Sequence, residues 1–111
     1  MNKKNDSNPP NTGPLAGVKV LDMSRILAGP TCTQLLGDYG ADVIKVEKPG
    51  SGDDTRNWGP PFMKNKDGDD SNESGYFLAS NRNKRSLSLD ISKGENVKII
   101  KTLLKDCDVF I

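Results

Sequence analysis

Short apolar runs, separated by polar segments, predict four strands along the chain. The runs lie within residues 17–23, 43–47, 86–89 and 109–111, and they are rich in valine, isoleucine and leucine. The first of them is expected to form a mostly buried strand. Between these runs, two segments have the spacing of helices instead.

The first helical segment separates the first two strands. Its apolar residues recur at positions i, i+3, i+4 and i+7, which places them on one stripe: Cys32, Leu35, Leu36 and Tyr39. Pro30 suits the first turn, where its missing N–H costs nothing, and Gly40 suits a left-handed cap at the end. We therefore predict a helix that packs through this stripe.

A second helix is predicted before the last strand. Val97, Ile100 and Leu104 have the spacing of a core-facing stripe. Ser92 and Glu95, three residues apart, have the pattern of a capping box, in which each side chain accepts a bond from the other residue's backbone N–H. The second helix is therefore expected to begin at this pair.

The order β-α-β-loop-β-α-β indicates an α/β fold with a parallel sheet and right-handed crossovers. In such sheets ligands bind beyond the carboxyl ends of the strands, and Glu47 and Lys48 lie at that end of the second strand. Two amphipathic helices can cover one face of the sheet well but not two, whereas a fully buried strand needs cover on both faces. We therefore expect the chain to be the N-terminal part of a longer protein.

Two segments have neither kind of pattern. Residues 1–14 are rich in Asn and Pro and have no apolar face, which predicts a disordered leader. Residues 64–74, KNKDGDDSNES, are predicted to form a flexible polar loop. The ordered domain is therefore expected to span residues 15–111.

Composition narrows the classes of function. The chain has 16 basic and 15 acidic side chains, so its net charge of +1 gives no overall attraction to nucleic acid or to an anionic membrane. No apolar run approaches the ~20 residues that span a bilayer. The absence of His removes the commonest general base and metal ligand, and Cys32 and Cys107 are expected to stay reduced. Any anion site must therefore be local.

An acidic residue at the end of the second strand is the group with which dinucleotide-binding folds hold a ribose hydroxyl. Glu47 fits this position, but the first turn, SRILAGP, has only Gly29 where such folds need G-x-G-x-x-G. An ion pair between Glu47 and a neighbouring Lys or Arg is therefore the better interpretation, and NAD or FAD is not expected.

Several charged residues are candidates for a local site. The possible phosphate-binding cations are Lys48, Arg56, Arg82, Lys84 and Arg85. The WGPPF segment is expected to pin the preceding loop on the sheet. Asp53 and Asp54 lie in a polar context, so neither is predicted to act as a nucleophile. Asp22 and Asp38 lie in more ordered segments but have no evident partner.

Three motifs, in this order, resemble the N-terminal region of the class III CoA-transferases. They are AGP in the first turn, GADVIKVEKPGSGD followed by TR, and NRNKRS. The family includes formyl-CoA transferase, carnitine CoA-transferase and α-methylacyl-CoA racemase, and the resemblance covers Pro14 to Ile111. Within it, GDDTRNWGPPF and KIIKTLLKDCDVF are most similar to the succinate–hydroxymethylglutarate CoA-transferases.

The resemblance implies a Rossmann-like large domain in a homodimer whose two chains interlock. It also implies transfer of CoA between carboxylic acids, such as succinate and glutarate or hydroxymethylglutarate, through an aspartyl-CoA intermediate. In the family that aspartate lies beyond Ile111, so no residue of this chain is assigned a catalytic role. The implied partners are an acyl-CoA and a carboxylic acid, and neither metal, nucleic acid nor membrane is expected.

By position, the resemblance assigns CoA contacts to three places. Leu27 and Ala28 match the turn that contacts CoA, but formyl-CoA transferase has Gln in place of Leu27, so only backbone contacts carry over. Lys48 matches a family Arg near the CoA nucleotide and keeps its charge without the planar fork. The segment along the adenosine part is Leu89, Asp90, Ile91 and Ser92.

Two alternatives stay open from the sequence. A racemase of 2-methylacyl-CoA thioesters shares this N-terminal pattern, and the 111 residues are also compatible with a truncated, non-catalytic CoA-binding module. The subfamily resemblance implies a mitochondrial location, and otherwise a cytoplasmic one, although residues 1–14 carry no transit signal.

Overall fold

The computed structural model describes residues 12–111 and contains a four-stranded parallel sheet. In chain order the elements are β1 (Lys19–Asp22), α1 (Ala28–Asp38), β2 (Asp42–Glu47), a 3₁₀ turn (Asp54–Asn57), β3 (Phe62–Lys64), β4 (Asp70–Ser74), α2 (Gly75–Ser80), β5 (Lys84–Ser88), α3 (Gly94–Leu104) and β6 (Val109–Phe110). The sheet order is β5-β2-β1-β6, with every neighbouring pair parallel. The predicted α/β fold with a parallel sheet is confirmed, and this order is that of Rossmann-like sheets.

The two long helices cover opposite faces of the sheet. Because successive side chains of a strand point to opposite faces, Val20 and Val43 form one core with Leu36 of α1. Leu21 belongs to a second core, with Ile100 of α3. The expectation that the helices cover only one face was therefore wrong, and the central strands are enclosed from both sides.

Only Leu36 of the predicted stripe packs against the core of Val20 and Val43, so helix α1 packs partly through another face. Its buried residues are Pro30, Thr33 and Gln34, whereas Leu35 and Tyr39 are 49% and 55% exposed and Cys32 is also exposed. The polar residues can be buried because Thr33 Oγ1 donates to Asp22 Oδ2 (2.5 Å) and Gln34 Nε2 donates to the Ala79 carbonyl (2.9 Å).

The ends of α1 agree with the prediction, but the start of α3 does not. Pro30 lies in the first turn of α1, and Gly40 follows its end with φ +107°. Helix α3 begins at Gly94 with Lys93 as N-cap and no side-chain capping bond. The Ser92 hydroxyl instead donates to Asp90 Oδ1 (2.6 Å), so the predicted capping box does not form.

Residues 64–74, predicted as a flexible loop, lie mostly in a β-hairpin. Strands β3 and β4 pair antiparallel, and the Asn65 N–H donates to the Asp69 carbonyl (2.8 Å) across the turn. The hairpin was not predicted because most of its side chains are exposed and polar, so its strands lack an apolar alternation. No helix among residues 12–111 is both long and apolar enough to cross a membrane.

The end of the predicted leader lies against α1. The Ala16 N–H donates to the Gly13 carbonyl (3.1 Å), and the Leu15 N–H donates to the Tyr39 carbonyl (2.9 Å) at the end of the helix. Residues 12–14 therefore have a defined place in the fold. Residues 1–11 of the predicted leader lie outside the described residues.

Candidate functional site

A cavity of about 640 Å³ lies beyond the carboxyl ends of β1, β2 and β5. Its lining comes from residues 23–25 after β1, 45–49 at the end of β2, 51–54 in the following loop, and 89–92 after β5. This edge is where parallel α/β sheets bind ligands, since the loops that follow the strands converge there. The cavity is therefore the candidate site.

The loop after β2 closes one side of the cavity through a tight turn. The Gly52 N–H donates to the Lys48 carbonyl (2.9 Å), and Gly52 has φ +66°. A Cβ atom at this position would lie 2.7 Å from Cδ of Arg56 and 3.2 Å from Oε2 of Glu47. Glycine is therefore required here both for its conformation and for its lack of a side chain.

Glu47 is the ion-pair partner that the sequence favoured. Its buried carboxylate accepts hydrogen bonds from Arg56 Nη2 (2.9 Å) and from the Ser86 hydroxyl (2.9 Å). The Arg56 guanidinium carbon also lies 3.7 Å from the centroid of the Phe77 ring. Glu47 and Arg56 therefore fasten the loop to the sheet and to α2.

Most of the candidate phosphate-binding cations are engaged with carboxylates. Four pairs account for them: Arg56–Glu47 (2.9 Å), Arg82–Asp38 (2.6 Å), Lys84–Asp22 (3.2 Å) and Arg85–Asp42 (2.7 Å). Asp22 and Asp38, which had no evident partner in the sequence, are thus paired. Within residues 12–111, Lys48 is the one of the five candidates that forms no ion pair, and it is exposed at the cavity.

Two of the ion pairs are buried. Lys45 Nζ lies 2.9 Å from Asp53 Oδ2, and the two side chains are only 2% and 0% exposed. Burial by itself raises the pKa of Asp53, but hydrogen bonds from Lys45 and Thr55 outweigh it and lower that pKa below the ordinary 3.8. Asp53 is therefore buried and ion-paired, although its polar sequence context favoured an exposed carboxylate.

Asp22 is the acidic member of the second buried pair. Its burial also raises the pKa, whereas hydrogen bonds from Ser24 and Thr33 and the charge of Lys84 lower it, with a net shift below 3.8. The Lys84 ammonium also donates to the Pro30 carbonyl (2.8 Å) and to Asn81 Oδ1 (2.8 Å). This pair joins the end of β1, the first turn of α1 and the start of β5.

The structure brings most of the predicted CoA-binding residues to one cavity. Those that line it are Lys48, Leu89, Asp90, Ile91 and Ser92. Leu27 and Ala28 lie at the start of α1, exposed and outside the lining, although Arg25 of the same connection does line the cavity. Asp90 Oδ1 accepts hydrogen bonds from both the N–H (3.0 Å) and the hydroxyl (2.6 Å) of Ser92, so these two side chains bond one another.

The sequence reasoning missed Lys45 and Asp53 as residues of the cavity. One signal was available for Lys45, because the alternation in β2 (DVIKVE) places it on the same face as the buried Val43. No comparable signal existed for Asp53, which lies in a segment without periodicity.

The cavity is better suited to binding an anion than to acid–base chemistry. Among its carboxylates, Glu47 and Asp53 are buried and hydrogen-bonded, Asp54 accepts from Arg25 Nη2 (2.6 Å), and Asp90 accepts from Ser92. Lys48 forms no ion pair in the described part of the chain. Hydrogen bonds from Ser92 and, to a smaller extent, the charges of Lys93 and Lys48 lower the pKa of Asp90, which lines the same cavity. That part also contains no cluster of three or more His, Cys, Asp or Glu suited to a metal ion.

Comparison with known proteins identifies strong similarity over residues 15–111. The model of the family described as CoA-transferase family III matches residues 15–111. The chain is 55% identical over 101 residues to succinyl-CoA:glutarate CoA-transferase of Homo sapiens. It is 47% identical over 98 residues to succinate–glutarate CoA-transferase of Agrobacterium fabrum, and 45% identical over 100 residues to formyl-CoA:oxalate CoA-transferase of Rhodopseudomonas palustris.

These matches cover nearly all of this chain but a small part of the other proteins. The human match spans 91% of this chain and 22% of that protein, the A. fabrum match 88% and 24%, and the R. palustris match 90% and 22%. Among solved structures, a CAIB/BAIF family protein from Brucella suis superposes with a TM-score of 0.77 at 49% identity, over 90% of this chain and 25% of that one. The chain therefore spans about a quarter or less of the relatives that it matches.

Proposed function

Because the chain belongs to CoA-transferase family III, we propose that residues 15–111 supply part of the CoA site of an enzyme that moves CoA between carboxylic acids. The proposal concerns the whole enzyme, of which this chain corresponds to about a fifth by comparison with the human relative. The cavity at the strand ends is the proposed place of CoA binding.

The observation that carries the proposal is that Lys48 forms no ion pair. Arg25 and Lys45, the other cations of the cavity lining, are each paired with an aspartate, while Lys48 is exposed at the cavity and forms no ion pair among residues 12–111. The phosphate groups of CoA would pair with this ammonium through charge-assisted hydrogen bonds. Residues 89–92 would lie along the adenosine part.

The proposed reaction uses an aspartate outside the described residues. Its carboxylate attacks the thioester carbonyl and CoA leaves as a thiolate, which gives a mixed anhydride. The thiolate then attacks the aspartyl carbonyl, so that the first acid leaves and an aspartyl-CoA thioester remains. The acceptor carboxylate reverses these steps. Glu47, Asp53 and Asp54 are poor candidates for this nucleophile because each already accepts hydrogen bonds within the fold.

The relatives' names suggest the substrates. The human and A. fabrum proteins are named for succinate and glutarate, so we propose succinyl-CoA as donor and glutarate or hydroxymethylglutarate as acceptor. We further propose that the whole enzyme is a homodimer, which its size in solution would test. We also propose a mitochondrial location, which imaging of the tagged intact protein would test.

The deciding experiment uses the intact gene product that contains this chain. Incubated with succinyl-CoA and glutarate, it should form glutaryl-CoA and free succinate in equal amounts, as followed by chromatography. In parallel, a 2-methylacyl-CoA in deuterated water should show no exchange of its α-proton. Exchange without CoA transfer would instead identify the racemase, and tight binding of CoA with neither reaction would identify a non-catalytic CoA-binding module.

A further inference from the structure

The connection between β1 and α1 contains a strained residue beside the cavity. Ile26 has φ +74°, a left-handed conformation that a β-branched residue adopts only at a cost. It belongs to residues 24–27, here named the 24–27 turn, which leads directly into α1. Contacts with other parts of the fold must therefore stabilise this conformation.

Asp53 holds the strained residue directly. The Ile26 N–H donates to both carboxylate oxygens of Asp53, at 3.3 and 3.2 Å. The carboxylate is itself oriented by the N–H and the hydroxyl of Thr55, at 2.9 and 2.8 Å. Because the Asp53 side chain is fully buried, water cannot readily replace these bonds.

Lys45 holds the same turn from its other end. Its ammonium donates to the Ser24 carbonyl (3.0 Å) and pairs with Asp53 (2.9 Å). One buried ion pair therefore bonds the turn on both sides of Arg25, a residue of the cavity lining. The two charges neutralise each other, so Lys45 is not available to pair with a ligand. Lys48 is then the cation that a ligand would contact.

We infer that Lys45 and Asp53 are positioning residues, which hold the 24–27 turn in a strained conformation that CoA requires for binding. The inference rests on the proposed function. The pair would affect the affinity for CoA by fixing the conformation of the turn. This effect is separate from any direct electrostatic interaction of either charge with the ligand.

Substitution of Asp53 distinguishes a positioning role from an electrostatic one, because the two roles predict opposite changes in the affinity for CoA. Asp53→Asn removes a negative charge from a site for a polyanion, so electrostatics alone predicts tighter binding of CoA. Positioning predicts weaker binding, by about tenfold or more, because a hydrogen-bonded charged group is lost. The double variant Lys45→Met with Asp53→Asn keeps the net charge of the parent, and it should bind CoA as weakly as the single variant.

A rescue and a control complete the design. Glycine adopts the conformation of Ile26 without strain, so Ile26→Gly should restore part of the affinity lost in Asp53→Asn. Asp42→Asn makes the same substitution in a carboxylate that pairs with Arg85 and has no bond to the turn. That control should leave the dissociation constant of CoA unchanged.

The measurement is calorimetric titration of the intact gene product with CoA, alongside denaturant unfolding of each variant. The positioning role would be overturned if the parent binds CoA and both Asp53→Asn and the double variant bind it equally well or more tightly. Absence of CoA binding by the parent would overturn the proposed function itself. If the substituted pair does not fold, Thr55→Val removes one bond to Asp53; weaker CoA binding then supports the inference and unchanged binding overturns it.

Discussion

The guanidinium carbon of Arg56 lies 3.7 Å from the centroid of the Phe77 ring. The same group donates to Glu47 at the end of β2 through Nε and Nη2. Arg56 thus joins three parts of the chain that are distant in sequence: the loop at the cavity, the sheet and helix α2. The loop is held by this contact as well as by the tight turn at Gly52.

Arg56→Lys should lower the free energy of unfolding by about 1–2 kcal/mol. Lysine keeps the charge but loses the planar fork toward Glu47 and the flat contact with Phe77, and the partial exposure of Arg56 limits the loss. Urea denaturation of both proteins measures the difference. Arg82→Lys is the matched control, because that guanidinium pairs with Asp38 at the surface, and an equal or larger loss in the control would contradict the prediction.

Lys48→Ala should raise the dissociation constant of CoA about tenfold, since one charge-assisted bond to phosphate is lost. It should also reduce the dependence of binding on salt, because exposed charges are screened by ions. Lys48→Arg should bind CoA like the parent. Titration calorimetry at low and high salt tests both effects. Lys66→Ala, in the hairpin turn, should change neither, so an equal effect there would show that only net charge matters.

The stability of the fold should decrease in acid because of Asp22 and Asp53. Both carboxyl groups have a pKa below the ordinary 3.8 in the folded chain. Above about 3.8 their stabilising contribution is complete, and it is lost as the pH falls from there through the lowered folded values. Urea denaturation from about pH 6 to about pH 2 measures this loss. Asp53→Asn should be less stable than the parent at neutral pH and should lose less stability in acid, whereas an unchanged slope would rule out Asp53 as a contributor.

The parallel sheet could be predicted because its strands are apolar runs separated by helical spacing. The position of Lys48 at the cavity was also predictable, since Lys48 immediately follows β2 at the edge of the sheet where ligands bind. The hairpin was not predictable in the same way, because its strands face solvent and lack apolar alternation. Asp53 escaped prediction because it lies in a segment without periodicity and because its partner, Lys45, is a buried lysine, which is rare.

Helix α1 shows why the spacing of apolar residues can identify a buried face only in part, since Leu36 packs on the core. Thr33 and Gln34 are buried because partners on β1 and around α2 satisfy their polar atoms. Leu35 and Tyr39 are half exposed although they follow the helical period. The period therefore located the helix correctly, while the buried face depended on partners far away in sequence.

Thr33→Val tests this orientation of α1 by the size of its effect on the free energy of unfolding. If the helix packed through the whole predicted stripe of Cys32, Leu35, Leu36 and Tyr39, Thr33 would be exposed and the substitution nearly neutral. In the structure the Thr33 hydroxyl donates to the buried Asp22, so its loss should lower the free energy of unfolding by about 1–3 kcal/mol. Thr33→Ser keeps the hydroxyl and should lose less. Denaturant unfolding measures all three proteins, and equal stability of the parent and Thr33→Val would contradict the buried bond to Asp22.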